Sequence, residues 1–545
     1  MFPRRICMKK LLSAVLVSLA LSAQAQKNTL LEQSFWQAKP SADQVKAEVE
    51  KGNNPSQFNP NSFDPVVLAI NAQAPNETVK YLLAQPGNGV DKITHDSRIY
   101  LHWAAYKGNT EIMEYLIGKG SKVSVSDSHG ATPLTFAAGA GVTDTRVYDL
   151  LVKSGADLKK DVNHDGANAL LLGVATDKDL KLTDYFVSKG LDLKSTDAAG
   201  NNAFSYAARG GNIDILKSLQ QRGVLVSQTA MIMASQGSRR GPAPMEVFQY
   251  LESVGVKPTA TNKSGENVLH ALVRRPGQVE LIQHFLGKGV DVNQADEEGN
   301  TPFMNASASN RDLATLELLM PKVKNINQAN EKGVTALAMA VRGNSPDVVR
   351  LLLDKGASVS VADKDGNNLG YYLVQGYRGN GPGMGSMPPT SMTNGPRPEG
   401  GARPEGGARP EGGPRIEGGM RSDGGNGPRT DDFDTKLALL QSKGLDVKTS
   451  QPNGNTLYHL AVAKNDLALV KKIEPLQIDV NARNKEGMTA LHKAAMIAKD
   501  DGMMKYLLSI GAKKDIPTNF KETAYDLASE NETLAKNNIS LNFLK

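Results

Sequence analysis

Residues 111–120 read EIMEYLIGKG, an apolar run at helical spacing closed by Gly120. Ile112, Tyr115 and Leu116 fall on one stripe, and the Ala104–Ala105 pair just before them allows a second helix to pack closely. A glycine after such a run suits the left-handed position that ends a helix. The same ending returns at Gly155 (LLVKSG), Gly190 (FVSKG), Gly223 (LQQRG), Gly255 (LESVG), Gly289 (FLGKG), Gly356 (LLLDKG), Gly444 (LLQSKG) and Gly511 (LLSIG). The steps are 35, 35, 33, 32 and 34 residues, then 67, 88 and 67, so 67 is two periods with the middle glycine replaced. A period of this size marks a solenoid. One unit cannot bury its own apolar face, so stability must come from stacking unit on unit.

Each period also opens on a recurring stretch. It reads DSHGATPLTFAA at Asp127–Ala138, DEEGNTPFMNA at Asp296–Ala306, NKEGMTALHKAA at Asn484–Ala495 and NGNTLYHLAV at Asn453–Val462. A Gly-Asn step lies between the two helical runs at Gly108-Asn109, Gly211-Asn212 and Gly343-Asn344. With the Leu-Leu-x-x-Gly-Ala ending, these stretches resemble the ankyrin repeat family, whose opening motif is Asp-x-x-Gly-x-Thr-Pro-Leu-His-x-Ala. The resemblance covers about twelve units from roughly residue 63 to 532. No unit carries the complete Thr-Pro-Leu-His tetrapeptide, and the unit at 225–258 is the most worn, with Thr229–Ala234 where the motif belongs. The implied fold is all-α, an ankyrin-repeat solenoid of hairpin–helix–loop–helix units. Local chemistry agrees. Asp-x-x-Gly is turn chemistry, Thr or Ser before the first helix caps its free N–H groups, and Pro fits its first turn.

The first 25 residues read as a secretory signal: Arg4, Arg5, Lys9 and Lys10, then the apolar Leu11–Leu21, then Ala23-Gln24-Ala25 as a cleavage site before Gln26. The apolar core is too short to span a bilayer stably, the alternative being an uncleaved anchor. Met8 is a second candidate start. Cys7, the single cysteine, lies within this leader, so the mature chain has neither disulfides nor thiolate metal sites. A cysteine-free exported chain suits a bacterial periplasm, with secretion or the cell surface as alternatives. Removing the four basic residues of the leader takes the net charge from +6 to about +2, too balanced to predict nucleic-acid binding. No later segment is apolar enough to span a membrane.

The expected order is a signal at 1–25, a helical N-terminal cap at 26–62, repeats at 63–377, an insert at 378–431, and repeats with a C-terminal cap at 432–545. Within the N-terminal cap, Ser41–Lys51 reads as a Ser-capped helix. The 88-residue step hides the insert, whose RPEGGARPEGGARPEGGPRIEGG (Arg397–Gly419) repeats every six residues. Gly and Pro dominate it without an apolar period, so disorder is expected. It interrupts one repeat between its first helix (Asn368–Gln375) and its second (Phe433–Ser442), a position that tolerates length.

The chain carries no H-E-x-x-H, CxxC, Walker, G-x-S-x-G or dinucleotide motif, so no catalytic residue, metal or cofactor is expected. His102, His270, His459 and His492 occupy the slot of the motif histidine, and the resemblance implies local hydrogen bonds to backbone for them. Their spacing of about 10 Å per unit is too wide to share a metal. His129 and His164 fall at hairpin tips, while His95 and His284 have no partner visible in the sequence.

In ankyrin arrays the hairpin tips and first-helix ends line a concave groove. The first-helix-end positions here give Tyr106, Lys107, Arg209, Arg274, Arg275, Arg342 and Lys464, without an acid, and Arg239-Arg240 fall in a neighbouring loop. Their side chains are expected to be exposed. The track reads either as a surface for an acidic partner or as cations complementing helix C-termini. Three functions stay open: a monomeric, non-catalytic scaffold for a protein partner, a binder of anionic envelope polymer, and an accessory or active enzyme with a site that no motif marks.

Overall fold

Each repeat starts where a polar side chain closes the free end of a helix. Thr132 accepts from the Thr135 N–H, Thr301 from Met304 and Thr335 from Ala338, while Pro133 and Pro302 occupy the first turn. Asn168, Asn202 and Asn368 do the same work in repeats that lack threonine. The computed structural model describes residues 27–238, 241–379 and 432–545. The signal, Arg239-Arg240 and the insert beyond Gly379, with its expected disorder, lie outside the described residues.

The described residues are all-α; no β-strand forms among them, and Val162–Asn168, Ser238–Gly241, Ala329–Thr335 and Ala362–Asn368 pair only as isolated bridges. The fold is that of stacked ankyrin repeats, in two compact units that meet in sequence at Ala198 and Ala199.

The first unit opens with the cap. Ser41 and Gln44 form a reciprocal capping box on Ala42–Glu50, as expected, and an unforeseen short helix, Gln33–Gln37, buries Trp36, whose indole N–H donates to Leu30 O at 2.8 Å. Helix pairs follow at Pro65–Asn71 with Asn76–Leu83, Tyr100–Tyr106 with Thr110–Gly118, Pro133–Gly139 with Thr145–Lys153, and Ala169–Val174 with Lys181–Ser188. First helix packs on first helix and second on second. Leu101, Ala104, Ala105, Ile112 and Leu116 are all fully buried between them. Each large apolar side chain buried this way contributes about 1.5–3 kcal/mol, but only once a neighbour covers it.

In the second unit the first helices stack in the order Ala203–Gly210, Ala230–Gln236, Val268–Leu272, Pro302–Ser309, Ala336–Gly343, Leu369–Gly376, Leu457–Ala463, Ala490–Ile497 and Ala524–Ser529. The worn repeat keeps its pair, Ala230–Gln236 and Met245–Ser253. Leu369–Gly376 is completed by Asp432–Ser442, so the insert does interrupt one repeat between its helices.

Two glycine roles differ. Gly120 has φ +94 with open space where a side chain would sit, so the backbone conformation alone asks for glycine. At Gly299 a Cβ would stand 2.7 Å from the Glu331 amide nitrogen, because one hairpin tip lies directly on the next. That contact recurs as a rung of backbone hydrogen bonds. In the first unit Ser128 N–H donates to Asp96 O and His164 to His129 O; in the second Glu297 donates to Ser264 O, Glu331 to Glu298 O and Lys364 to Lys332 O, at 2.8–3.0 Å.

The motif histidines bind backbone, as expected, and three of them also cross the repeat boundary. His102 Nδ1 accepts from its own Ile99 N–H, which leaves Nε2–H to donate to Ala131 O of the following repeat at 3.1 Å. His270 bridges Asn267 and Asn300 O, and His459 bridges Thr456 and Met488 O, in the same way. Burial holds His102 down at about 4 and lowers His270, His459 and His492 as well. The two histidines without a visible partner have one: His284 meets Glu252 at 2.6 Å, and His95 meets Asn61 O at 2.9 Å.

Candidate binding face

In the first unit the first-helix face is aromatic. Tyr106 ends the helix Tyr100–Tyr106 and stacks on Phe136 of the next repeat at 5.2 Å and 23°. Trp103 meets both rings edge-on, and its indole N–H donates to Thr94 Oγ1 at 2.9 Å. The Arg98 guanidinium lies 4.2 Å over Phe136 and donates through Nε to Asp127 and through Nη1 to Asp96. Lys107 places its ammonium 4.9 Å over the Tyr106 ring. Tyr106 and Lys107 are thus together, as expected, but half-buried in a cluster that the sequence reading missed. The signal was present: Trp103 and Phe136 hold the same place in successive repeats, 33 residues apart.

In the second unit the face is cationic, and its cations are bound differently from expectation. Arg209 and Arg342 are exposed, but Arg274, Arg275 and Lys464 are half-buried. Arg275 donates through Nη1 to Ser238 O at 3.0 Å and through Nη2 to Gln236 O at 3.2 Å, and Arg209 Nε donates to Gly237 O at 2.7 Å. Lys464 donates to Gln375 O at 2.8 Å and Tyr377 O at 3.3 Å. The reason is the helix end. The last carbonyls of each first helix have no partner inside the helix, and a cation from the adjacent repeat supplies one. Arg274 is a separate case. It faces the carboxylates of Glu266, Asp296 and Glu298, which oppose the lowering of its pKa by burial. Glu266 is itself buried, and burial raises its pKa.

Asparagine does the same where no cation stands. Asn310 Nδ2 reaches Val273 O at 2.8 Å, Asn344 Nδ2 reaches Ser307 O at 2.9 Å, and Asn531 Nδ2 reaches Ala495 O at 3.0 Å. Asn344 belongs to the Gly-Asn step between the two helices of its repeat. Lys436, 6% exposed, reaches Val341 O at 3.1 Å. Arg209, Arg275 and Lys464 therefore clamp neighbouring repeats together, while Arg342 and the rest of the Arg209 guanidinium stay at the surface. Neither forms an ion pair among the described residues.

Among the described residues no group of three His, Cys, Asp or Glu is placed to hold a metal, and no helix is long and apolar enough to cross a membrane.

Helix pairs, capped starts, glycine ends and stacked hairpin tips together define a repeat-built binding module. A family model of ankyrin repeats in three copies matches residues 66–162 and again 269–363, and a single-repeat model matches 486–519. The chain carries ankyrin repeats over these stretches. It is similar to "Ankyrin repeat protein nuc-2" of Neurospora crassa, 24% identical over 228 residues, covering 41% of this chain and 21% of that protein. It is also similar to "E3 ubiquitin-protein ligase KEG" of Arabidopsis thaliana, 22% identical over 340 residues, 57% of this chain and 20% of that protein. A shorter match is the "26S proteasome non-ATPase regulatory subunit 10" of Dictyostelium discoideum, 39% identical over 80 residues, 14% of this chain and 34% of that protein. The chain thus spans at most about a third of the length of these relatives.

Proposed function

We propose that the protein is an exported, non-catalytic scaffold that binds a protein partner through its first-helix ends and hairpin tips. The observation that carries this reading is the surface charge of Arg209 and Arg342: neither pairs with a carboxylate among the described residues, and of the two only Arg209 gives a nitrogen, its Nε, to a helix end at Gly237 O. A clamp needs only the carbonyl contacts made by Arg275 and Lys464; an exposed guanidinium with its fork free is suited to a carboxylate. Export rests on the basic–apolar–AxA order of residues 4–25, and the periplasm on the cysteine-free mature chain.

A second reading, an anionic envelope polymer on the same face, is favoured by the same two arginines. The enzyme reading has no constellation to support it. One relative is named a ubiquitin ligase, but this chain matches a fifth of that protein's length.

The test is capture of partners from the envelope fraction by wild type and by the R209E/R342E double variant. A stoichiometric protein retained by wild type and lost by the variant supports the scaffold. Salt-sensitive retention of polyanion without protein supports the second reading. Identical capture by both proteins removes the face from either. Intact mass of the exported form, expected to begin at Gln26, tests the leader.

A further inference from the structure

One buried cation of the second unit lies off the track. Lys436 stands in Asp432–Ser442, the second helix of the interrupted repeat, and its ammonium donates to Val341 O at 3.1 Å. In three other repeats a neutral amide holds the equivalent carbonyl. Val273, Ser307 and Ala495 lie six residues after the helix caps Asn267, Thr301 and Thr489, as Val341 does after Thr335. Asn310, Asn344 and Asn531 bind those three. Asn310 and Asn344 come nine residues after their own caps, Thr301 and Thr335. Nine residues after Asn368, the cap of the interrupted repeat, stands Tyr377, a side chain without an amide. Lys436 takes over the contact from the second helix, and it brings a charge where its counterparts bring none.

That charge is poorly compensated. An ammonium has three N–H donors, and a single contact is formed among the described residues. Within ion-pair distance no carboxylate stands among them; Asp432, one turn earlier on the same helix, is the acid whose charge bears on Lys436. Burial lowers the lysine's pKa, and Arg311 and Arg378 lower it further. A buried charge of this kind is destabilising unless a counter-charge meets it.

The fold brings the two arginines to the same place. Arg311 follows the first helix Pro302–Ser309, Val341 lies in the last turn of Ala336–Gly343, and Arg378 follows Leu369–Gly376, three successive levels of the stack. The levels touch. A Cβ on Gly343 would stand 3.2 Å from Ala308 O, and one on Gly376 would collide with Arg342 O. Neighbouring helices pack about 10 Å apart, and an arginine side chain spans most of one such step. Arg311 from one side and Arg378 from the other therefore reach the level of the Lys436 ammonium. Both are exposed, and neither forms an ion pair among the described residues. Arg342, by contrast, bears on Lys464, Tyr371 and Tyr372.

Three converging cations face one acid, which leaves a surplus of two positive charges. A single carboxylate would cancel half of it. A phosphoryl group carries about −1.5 to −2 and offers several oxygens to two guanidinium forks and an ammonium. We propose that Lys436, Arg311 and Arg378 form a phosphoryl-binding site beside the first-helix ends of three successive repeats. Lys436 is its buried anchor, and the two guanidinium groups are its rim. The ligand is phosphate, free or carried as an ester. The site goes beyond the partner-binding face and uses neither Arg209 nor Arg342.

Titration calorimetry of the full-length protein with sodium phosphate at pH 7.5 tests this, with sodium chloride of equal ionic strength as the control. Wild type is expected to bind phosphate saturably and chloride not at all. R311Q/R378Q changes exposed side chains alone, so the fold is retained and affinity should fall at least about tenfold. K436Q keeps an amide donor for Val341 O and removes the charge, and should weaken binding to a similar extent. A lysine that serves only as a clamp would leave affinity unchanged in K436Q and move the urea midpoint alone. R209Q/R342Q should keep wild-type affinity. Absence of saturable binding in wild type overturns the proposal, as does wild-type affinity in either R311Q/R378Q or K436Q. Equal weakening by R209Q/R342Q would mean that general charge draws the phosphate, and overturns it too. Glycerol 3-phosphate identifies the source: tighter binding than inorganic phosphate marks an ester as the ligand, and equal or weaker binding marks the free ion.

Discussion

The two units build the same face from opposite materials. In the first, Trp103, Tyr106 and Phe136 stack ring on ring, with Arg98 and Lys107 lying over the ring faces. In the second, arginines and a lysine cross between repeats to reach bare carbonyls at helix ends. The difference teaches that the repeat fixes where a side chain stands and leaves open what it does there. An aromatic residue at that place joins the core and consumes nearby cations. A cation at that place either closes a helix end or remains at the surface.

The sharpest break of the comparison is Trp103→Ala. Trp103 is 6% exposed and joins three repeats' worth of rings, so the loss should cost about 3–5 kcal/mol, read as a lower urea midpoint. A substitution at the matching position of the cationic face, such as Met339→Ala, should cost less if the contrast is real.

The motif histidines give the next effect. His102 titrates near 4 in the folded chain and near 6.5 unfolded, so the unfolded state binds the extra proton first. Its contribution is whole above pH 6.5 and is lost as pH falls from 6.5 to 4, by about 3 kcal/mol. His270, His459 and His492 are lowered too and add in the same direction. Denaturation midpoints at pH 7.5, 5.5 and 4.5 should fall in that order, and His102→Gln should flatten the slope.

Within the cationic face itself, Arg274 and Arg342 should separate. Arg274→Ala leaves the buried Glu266 facing fewer cations and should destabilise by about 1–3 kcal/mol. Arg342→Ala should stay within about 0.5 kcal/mol. Largest on association rather than on stability is R209E/R342E: melting should fall only by the loss of the Arg209–Gly237 O contact, about 0.5–1.5 kcal/mol, while capture of an acidic partner is slowed more at low salt than at high salt.

The course of the chain was legible because punctuation repeats. Gly120 and its successors, the Thr and Pro openings and the Ala pairs recur at one period, so misreading any single unit changes little. Even the worn stretch at Thr229–Ala234 folds as its neighbours do, because adjacent repeats supply the surface that its own motif lacks. The binding face was legible only as an address. Sequence placed Arg209, Arg274, Arg275, Arg342 and Lys464 at equivalent ends, but all five look alike in a string of letters. Which meets a carbonyl, a carboxylate or water depends on residues some 30 to 90 positions away, such as Gln236 for Arg275 and Gln375 for Lys464. The Asn344 clamp stayed hidden for the same reason, since its acceptors Ser307 O and Asn310 O belong to the preceding repeat.

The rungs between hairpin tips also shape how such a chain can change over generations. Each rung ties an amide to a carbonyl one repeat away, so a residue gained or lost there would throw every later tip out of line. The connection between the two helices of a repeat carries no rung. It is three residues long at Lys107-Gly108-Asn109 and more than fifty between Leu369–Gly376 and Asp432–Ser442. One edge of the molecule is therefore conservative by construction, and the other is where novelty can be stored without rewriting the rest.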